Sequence, residues 1–394
     1  MISYAEALDR LVSVARPLGS ETVHVDQACG RRVAEDIKAL IDAPRFDVAM
    51  MDGYAVRVAD VVEGNWLEII GEVSPGRPFR HALGPGQAVR IFTGSRVPDN
   101  GDCVIMQEEA LREGNHVKFN PGFGPSHYVR KMGSDFCAGD VLLAAGTRLT
   151  PSAMVALAGA DVAELRVAKP VRYSLIATGD ELVDPGHAQS TAQSIPDSAS
   201  YGVEALARIR GGELAGRWRS DDSLEKLEHL AGVALDQSDL VVVLGGASVG
   251  ERDFAKTMFE KHGLALAFSK VAIRPGKPVW FGMVDAKYVL GLPGNPGSAM
   301  VTARLFLAPL LAALQAGDGA GEVMTAPQKL ASELPASGAR ETFTRARLGP
   351  EGLVPASNQD SGAQAPLGAS DWLIRRPPDD PARKTGDMVE ALPF

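Results

Sequence analysis

The sequence predicts a multidomain protein that combines α/β and all-β structure. Its 394 residues exceed what one hydrophobic core usually holds, which suggests about two to four domains. Residues 42 to 137 contain short β-prone runs separated by Gly/Pro turns, whereas apolar strands and amphipathic helices alternate from Pro170 onwards. These two sequence patterns predict an all-β module followed by an α/β domain.

The first forty residues predict an amphipathic helix. In SYAEALDRLVSVA the apolar side chains recur at helical spacing behind Ser3, a candidate N-cap, with Glu6 three residues later. The runs YAVRV, WLEIIGEV, QAVRIFTG, DCVIMQEEA and HVKF follow, between turns such as PGRP, GPG and NPGFGP. They predict the all-β module. A helix beginning at Pro151 is predicted after it, because proline suits the first helical position.

The α/β pattern begins after Pro170. Strands are predicted at 171–177, ELAGRWR, Leu240–Leu244, KPVWFG and KYVLGL. Helices are predicted at 198–209, in SLEKLEHLAGVAL with Asp222 as its cap, at 254–262 and at about 297–314. Near-continuous apolar strands between helices predict a parallel sheet covered on both faces. From about Asp318 the runs TFTRARL, DWLIRR and MVEALPF predict a small β domain.

Charge and cysteine content narrow the function. A net charge of −9 argues against a general binder of nucleic acid or anionic membranes. The start MISYAEALDR lacks a signal-peptide pattern, and the longest apolar run, 305–314, is short and contains proline. The scattered Cys29, Cys103 and Cys137 predict free thiols in a reducing cytoplasm and no zinc site. We therefore expect a cytoplasmic protein. An anionic small ligand remains open to it, because a local basic cluster can lie on an acidic protein.

Three glycine-rich loops follow predicted strands: ATGDEL (177–182), GGASVGERDF (245–254) and GLPGNPGSA (291–299). Ligands of open α/β sheets bind beyond the carboxyl ends of the strands. Glycines let main-chain N–H groups approach a ligand, and helix starts add partial positive charge. A single such loop is equally well explained by the needs of a tight turn, but three on one rim predict a binding crevice.

Charged residues in these loops suggest an anionic ligand. Glu181 and Asp253 stand at strand-to-helix junctions, where each alone could simply cap a helix. Together on one rim they suit a Mg²⁺ ion that bridges phosphates. Lys270, Arg274 and Lys277 fall within SKVAIRPGKPVWFG, which is either a solvated basic hairpin or a local anion site. Its position between two of the loops favours the anion site.

Seven motifs occur in a fixed order: FDVAMMDGYAV, GEVSPGRP, RIFTGSRVPDNGDCVIMQEE, ATGDELV, GGASVGERDF, KVAIRPGKPVWFG and GLPGNPGSA. Together they resemble the molybdopterin molybdenumtransferase family, the MoeA type that includes the gephyrin E domain, from about residue 3 to the C-terminus. The resemblance implies an elongated dimerisation domain (1–45 and 138–170, with an N-terminal helix that could pack on the α/β domain), an inserted β domain (46–137), a three-layer α/β/α molybdopterin-binding domain like that of the adenylyltransferases (171–317), and a C-terminal β barrel (318–394).

The same resemblance implies an activity and its residues. Molybdate would be inserted into adenylylated molybdopterin, with Mg²⁺-dependent hydrolysis and release of AMP. Asp52 of MDGYA and Asp135 of MGSD match acids that a partner subunit supplies, which implies a homodimer with a composite site. The catalytic acids implied are Asp52, Asp135, Glu181 and Asp253, of which Asp135, Glu181 and Asp253 bind the metal. The implied ligand-binding residues are Thr178, Gly179, Asp221 (or Asp222), Gly245, Gly246, Ser248, Lys270, Arg274, Lys277, Pro293, Asn295, Pro296, Ser298, Arg340 and Ser361.

Some positions depart from the family pattern and leave other functions open. Val48 and Ala199 stand where the family usually has Asn, Ser134 where it often has an acid, and Arg274 where Lys is usual. A cofactor-binding or delivery protein with little turnover is therefore the main alternative. An interaction scaffold and a molybdopterin adenylyltransferase are less favoured, the first because the matched acids are intact and the second because of the extra β domains. A molybdopterin adenylyltransferase and molybdoenzyme maturation factors are possible partners.

Overall fold

The computed structural model describes residues 1–120, 127–190, 192–220, 223–245 and 254–394. Residues up to 170 form α1 (Tyr4–Val14), β1 (Ser20–His24), β2 (Ile37–Lys38), β3 (Val48–Ala49), β4 (Gly53–Val56), β5 (Leu67–Val73), β6 (Gln87–Ile91), β7 (Cys103–Met106), β8 (Ala110–Glu113), β9 (His116–Phe119), β10 (Val129–Arg130), β11 (Val141–Leu143), α2 (Pro151–Gly159) and β12 (Glu164–Ala168). Residues 171–317 form β13 (Val171–Thr178), β14 (Leu182–Val183), β15 (Ile195–Pro196), α3 (Ala199–Ile209), β16 (Gly212–Ser220), α4 (Leu224–Gln237), β17 (Leu240–Leu244), α5 (Phe254–Thr257), β18 (Ala265–Phe268), β19 (Ile273–Arg274), β20 (Trp280–Val284), β21 (Lys287–Leu292), α6 (Pro296–Thr302) and α7 (Ala308–Leu314). The rest form β22 (Ala326–Lys329), β23 (Glu341–Gly349), β24 (Gly352–Pro355), α8 (Gln364–Gly368), β25 (Trp372–Arg376) and β26 (Met388–Pro393).

Helix α1 begins at the predicted cap and packs on the α/β sheet. The Glu6 N–H donates to Ser3 Oγ at 3.1 Å, which satisfies one of the free amides of the first turn. Tyr4, Ala7 and Leu11 point into the same core as strand β17 and helix α7. The N-terminal helix thus belongs structurally with the α/β core.

Two chain segments separated by an insertion pair with each other. Strand β1 pairs antiparallel with β12, and β2 pairs antiparallel with β11. Helix α2 begins at Pro151, with Thr150 Oγ1 accepting from the Ala153 N–H, and it buries Leu157 in this small core. The insertion between the segments is a six-stranded sheet in the order β7-β4-β6-β5-β9-β8 with a core on each face. This confirms the predicted all-β module.

The α/β sheet has the order β16-β13-β17-β21-β20-β18. Strand β17 is apolar at every position because both of its faces are buried. Leu240, Val242 and Leu244 face the core under α1, α3 and α7, and the side chains between them face α4 and α5. The sheet is therefore the middle of three layers. It is not wholly parallel, as the prediction had it, because β20 runs antiparallel to both of its neighbours, β21 and β18. The connection from β20 to β21 is only Asp285 and Ala286, and such a short turn can join only antiparallel strands.

Two predicted helices are corrected. The helix expected at 254–262 is α5, followed by a 3₁₀ turn at Glu260–His262, although Gly263 ends it as expected with φ +85°. Helix α4 has Ser223 at its N-cap position, one residue after the predicted cap Asp222, which lies outside the described residues.

The last helix of the α/β domain is continuous from α6 through a π-helical turn, Ala303–Leu307, into α7. The turn ends two residues before Pro309, which has no N–H to complete an α-helical ladder. The helix Pro296–Leu314 is long and apolar enough to cross a membrane, but 94% of its most apolar window is buried inside the protein. It is the central helix of the core.

The C-terminal residues form the predicted β barrel. Strands β23, β25, β26 and β22 pair in that order, β24 pairs with β23, and a bridge from Leu330 to Leu353 brings the end of β22 beside β24. Strand β19 of the α/β domain adds to β23 in parallel, with Arg274 opposite Thr342. The Glu341 N–H also donates to Ala272 O at 3.0 Å. This pairing places the predicted basic segment between the α/β sheet and the barrel.

Candidate active site

A crevice of about 950 Å³ lies at the carboxyl edge of the α/β sheet. It is bounded by the residues that follow three adjacent strands: Thr178 at the end of β13, Gly245 after β17 and Pro293 after β21. The predicted site residues on its walls are Thr178, Gly179, Glu181, Gly245, Lys270, Lys277, Pro293, Asn295 and Pro296. The predicted crevice is therefore present, and it gathers loops more than a hundred residues apart.

Close backbone packing forms the floor of the crevice. Gly245 adopts φ +95°, and a Cβ there would lie 2.8 Å from both the Thr178 carbonyl oxygen and Thr178 Oγ1. A Cβ on Gly294 would lie 3.2 Å from the Gly245 Cα. The ends of β13, β17 and the turn after β21 thus meet without room for side chains. Main-chain groups rather than side chains line this part of the crevice.

A second cleft, of about 760 Å³, lies between the α/β domain and the barrel. Five of the predicted ligand-binding residues line it: Arg274, Lys277, Ser298, Arg340 and Ser361. Lys277 and Pro278 line both clefts and form their common wall. Two neighbouring pockets that share a cationic wall suit a ligand that carries two different anionic groups.

Hydrogen bonds join the two sides of the second cleft. The Asn295 amide donates to Ser361 Oγ at 3.0 Å, and the Gly297 N–H donates to the Ser361 carbonyl oxygen at 2.7 Å. On the opposite side, Arg340 Nη1 donates to the Ile273 carbonyl oxygen at 3.1 Å. The barrel loop that carries Ser361 is therefore bound directly to the first turn of α6.

The crevice contains residues that the sequence did not identify. Asp197 is 4% exposed and lines the crevice beside Ser198, and its Oδ1 accepts from the Ser200 N–H at 3.1 Å. An Asp-Ser pair before a helix was the available signal, but it is also an ordinary helix start. Gly362 and Gln364 reach the crevice from the barrel, and nothing local in the sequence marks them.

Five predicted site residues lie outside the described part of the chain. They are Asp221, Gly246, Ser248 and Asp253, together with Asp222, the alternative to Asp221. Among the departures from the family pattern, Ala199 lines the crevice and Arg274 lines the second cleft. The roles assigned to all these residues stay predictions.

Asp52 and Asp135 line neither cleft of their own chain. Asp52 lies on the inserted β module, where its Oδ1 accepts hydrogen bonds from the Thr93 N–H at 2.8 Å and from Thr93 Oγ1 at 2.7 Å. These two bonds stabilise the carboxylate and hold the pKa of Asp52 below its ordinary value. Asp135 is exposed, and its N–H donates to the Ala43 carbonyl oxygen at 3.0 Å.

The predicted metal ligands are not assembled within one chain. Glu181 lies in the crevice, Asp135 lies outside it, and Asp253 is not among the described residues. Within the described ranges, no group of three or more His, Cys, Asp and Glu side chains could hold a metal ion. All three cysteines carry free thiols, and burial raises the pKa of Cys103 to about 11.

The chain is similar to two known sequence families and to proteins that cover most of its length. Residues 2–160 match the MoeA N-terminal region (domain I and II), and residues 174–313 match a probable molybdopterin binding domain. A molybdopterin molybdenumtransferase from Haemophilus influenzae is 38% identical over 300 residues, which cover 76% of this chain and 74% of that protein. One of the same name from Nostoc sp. is 33% identical, over 82% of this chain and 76% of that protein.

Solved structures show the same architecture. A molybdopterin biosynthesis MoeA protein from Pyrococcus horikoshii OT3 superposes with a TM-score of 0.85, at 25% identity and 100% coverage of both chains. A further crystal structure of a molybdopterin biosynthesis MoeA protein superposes with a TM-score of 0.80, at 29% identity, covering 99% of this chain and 98% of that one. The predicted fold class is confirmed.

Proposed function

Because this chain belongs to the MoeA family of molybdopterin molybdenumtransferases, we propose that it inserts molybdate into adenylylated molybdopterin and releases AMP. Its family makes it a transferase of molybdenum cofactor biosynthesis, with molybdopterin and molybdate as substrates. One observation carries the finer proposal: the crevice at the sheet edge and the cationic cleft share the wall formed by Lys277 and Pro278. A pterin pyrophosphate and an oxyanion could therefore be held side by side.

The crevice would bind the adenylylated pterin. Its floor presents main-chain groups of Thr178 and Gly245, which pack too closely to admit a side chain at Gly245. Lys270 and Lys277 stand on the same walls and would pair with the phosphate charges. Pro293, Asn295 and Pro296 form the remaining wall.

The second cleft would bind molybdate. Arg274, Lys277 and Arg340 supply positive charge, and the hydroxyls of Ser298 and Ser361 supply hydrogen bonds. Arginine presents its donors as a planar fork, which suits two oxygens of one oxyanion. These fixed cations would also stabilise negative charge that develops as the pyrophosphate link breaks, without reorganisation at that moment.

The acids of the crevice fit Mg²⁺. This ion is commonly held by one or two carboxylates together with substrate phosphates, and Glu181 offers such a carboxylate beside the proposed phosphate position. Asp253 of the same chain and Asp135 of the partner subunit would complete the set. A bound Mg²⁺ would neutralise the pyrophosphate oxygens. The chain's own part is to place Glu181 and the cationic wall on either side of that group.

A homodimer with a composite site accounts for the position of Asp52 and Asp135. Both lie away from the clefts of their own chain, yet hydrogen bonds from Thr93 hold the pKa of Asp52 below its ordinary value. Apolar side chains are exposed in the same region: Phe46 (40%), Met50 (45%), Met51 (39%) and Met132 (56%). A second copy of the chain that packs on these side chains could place its own Glu181 beside the Asp52 and Asp135 of the first copy.

The test is a reconstituted reaction of what we propose to be a cytoplasmic enzyme. Purified protein is incubated with adenylylated molybdopterin, Mg²⁺ and molybdate, and AMP is measured with each component omitted in turn. We expect AMP only in the complete mixture, and its loss when Mg²⁺ is chelated. Tight pterin binding without AMP would contradict the proposal and favour a delivery protein.

A further inference from the structure

Arg345 is a buried cation directly behind the molybdate cleft that lines neither cleft itself. It lies in strand β23 and is 1% exposed. Its guanidinium donates to the loop 357–363, which carries Ser361. Burial of an arginine in this way is costly unless its donors are satisfied, so its five N–H groups need these acceptors.

The guanidinium binds three carbonyl groups of that loop. Nη1 donates to the Ala363 oxygen at 3.1 Å, and Nη2 donates to the Asp360 oxygen at 2.8 Å and to the Asn358 oxygen at 3.2 Å. The Arg345 main chain also pairs with the Gln359 side chain, which donates to the Arg345 carbonyl oxygen at 2.8 Å. One side chain therefore determines the path of most of the loop.

These bonds direct negative dipoles away from the cleft. Arg345 donates hydrogen bonds to the carbonyl oxygens of Asn358, Asp360 and Ala363, and the Gly297 N–H donates to the carbonyl oxygen of Ser361. Among the residues that the structure describes, nothing accepts a hydrogen bond from the Ser361 N–H or hydroxyl. The loop is thus left with free donors at Ser361, which lines the cleft. Four carbonyl groups of the loop are thus engaged, whereas the donors of Ser361 remain available to an anion in the cleft.

We propose that Arg345 is a positioning residue for the oxyanion substrate: it orients loop 357–363 so that Ser361 presents hydrogen-bond donors, and no carbonyl oxygens, to the molybdate cleft. This inference rests on the proposed function, since it takes molybdate as the ligand of that cleft. Arg345 does not touch the substrate. Its effect should therefore appear in oxyanion affinity and not in pterin binding.

The experiment compares Arg345→Lys and Arg345→Met with Arg304→Met in the full-length protein. Arg304 is a matched control, since it is 4% exposed and also donates to two carbonyl oxygens, those of Pro393 and Glu322, far from the clefts. Molybdate binding is measured by equilibrium dialysis with metal analysis, and AMP binding by calorimetry. Where turnover is present, KM for molybdate and kcat are measured separately.

For Arg345→Lys we expect molybdate affinity to fall at least about tenfold and KM for molybdate to rise equally. The reason is that lysine loses one or two of the charge-assisted hydrogen bonds that orient the loop. AMP affinity and kcat at saturating molybdate should stay within about twofold. Arg304→Met should lower thermal stability without changing molybdate affinity. A folded Arg345→Lys that binds molybdate as tightly as Arg304→Met overturns the proposal, and so does an equal loss of AMP and molybdate affinity.

A second variant covers the case in which neither Arg345 variant folds. Gly297→Ala places a Cβ 2.7 Å from the Ser361 carbonyl oxygen and 3.2 Å from Arg345 Nη1, so it displaces the same loop from the helix side. Unchanged molybdate affinity in Gly297→Ala would then overturn the proposal. If molybdate affinity depends on Arg345 but the wild-type protein releases no AMP, only the proposed reaction is refuted. If the wild-type protein binds no molybdate, the role of Arg345 is refuted as well.

Discussion

Gly245→Ala should damage the crevice floor far more than an ordinary glycine substitution. Gly245 has φ +95°, and a Cβ there would lie 2.8 Å from the Thr178 carbonyl oxygen and from Thr178 Oγ1. Left-handed backbone costs a non-glycine residue about 1–2 kcal/mol. Relief of the contact to an ordinary separation requires the ends of β13 and β17 to move apart by about 0.5 Å, and such overpacking costs about 1–3 kcal/mol.

The total cost is then about 2–5 kcal/mol in the free energy of unfolding. Gly263→Ala is the matched control, because Gly263 has φ +85° but no atom within 4 Å of the added Cβ, and it lines neither cleft. This control should lose only the backbone contribution, about 1–2 kcal/mol. Urea unfolding gives both values, and calorimetry gives the affinity of each variant for AMP.

We expect weaker AMP binding in Gly245→Ala and unchanged binding in Gly263→Ala. The reason is that the Thr178 and Gly245 main chains form the floor on which the proposed phosphates rest. Equal unfolding free energies and equal AMP affinities in the two variants would refute both the packing argument and the placement of the ligand.

Three further predictions concern charge and burial. Thr93→Val removes the hydroxyl that donates to Asp52 at 2.7 Å, so the pKa of Asp52, read from its carboxyl NMR shift, should rise towards the ordinary value. The stabilisation from this group is present above the ordinary carboxyl pKa and is lost as pH falls through the lowered folded value. In the variant this stabilisation should therefore be smaller, and its loss should be complete at a higher pH. A thiol reagent at mildly alkaline pH should label the exposed Cys29 and Cys137 but not Cys103, whose buried thiol has a pKa of about 11, until the protein unfolds; fast labelling of all three in native protein would contradict this. Glu322→Gln should lower the free energy of unfolding in urea by about 3–5 kcal/mol, because the carboxylate is only 11% exposed and pairs with Arg32 and Arg210. Glu21→Gln should cost less than about 1 kcal/mol, because the Glu21 side chain is 39% exposed. Similar losses in the two variants would show that burial of the pair is unimportant.

Elements whose pattern follows from burial could be predicted from the sequence. Strand β17 is buried on both faces, so its five apolar residues predict both its bounds and its place inside the sheet. Helix α1 carries its own cap in Ser3 and its buried stripe in Tyr4, Ala7 and Leu11. In such segments local chemistry and tertiary packing agree.

Features that depend on distant partners could not be predicted. Strand direction is not encoded in an apolar run, so β20 was expected to be parallel, although the two-residue turn at Asp285 indicates otherwise. Strand β18 was not predicted at all. Arg345 belongs to the run TFTRARL, where it looks like an exposed position of an alternating strand. Its burial becomes intelligible only with the loop carbonyls 13 to 18 residues further along.

The site was predictable in its motifs but not in its geometry. The motif residues around Lys277, Asn295 and Ser361 do converge. The division into two clefts with one shared wall, and the contribution of Asp197 to the crevice, come from the packing of the barrel and of α3 against the sheet edge. No local pattern in the sequence describes that packing.

Subunit mixing tests most directly whether one chain's crevice works with its partner's acids. Asp52→Asn and Glu181→Gln proteins are prepared separately, then unfolded, mixed in equal amounts and refolded together, and AMP release is measured. Each variant alone should be nearly inactive. If Asp52 acts in the crevice of the other subunit, half of the randomly mixed dimers contain one intact site of two, and about a quarter of wild-type activity should return. If the mixture stays as inactive as its components while a mixture with wild-type subunits recovers normally, Asp52 and Glu181 do not act across the dimer and the composite site is wrong.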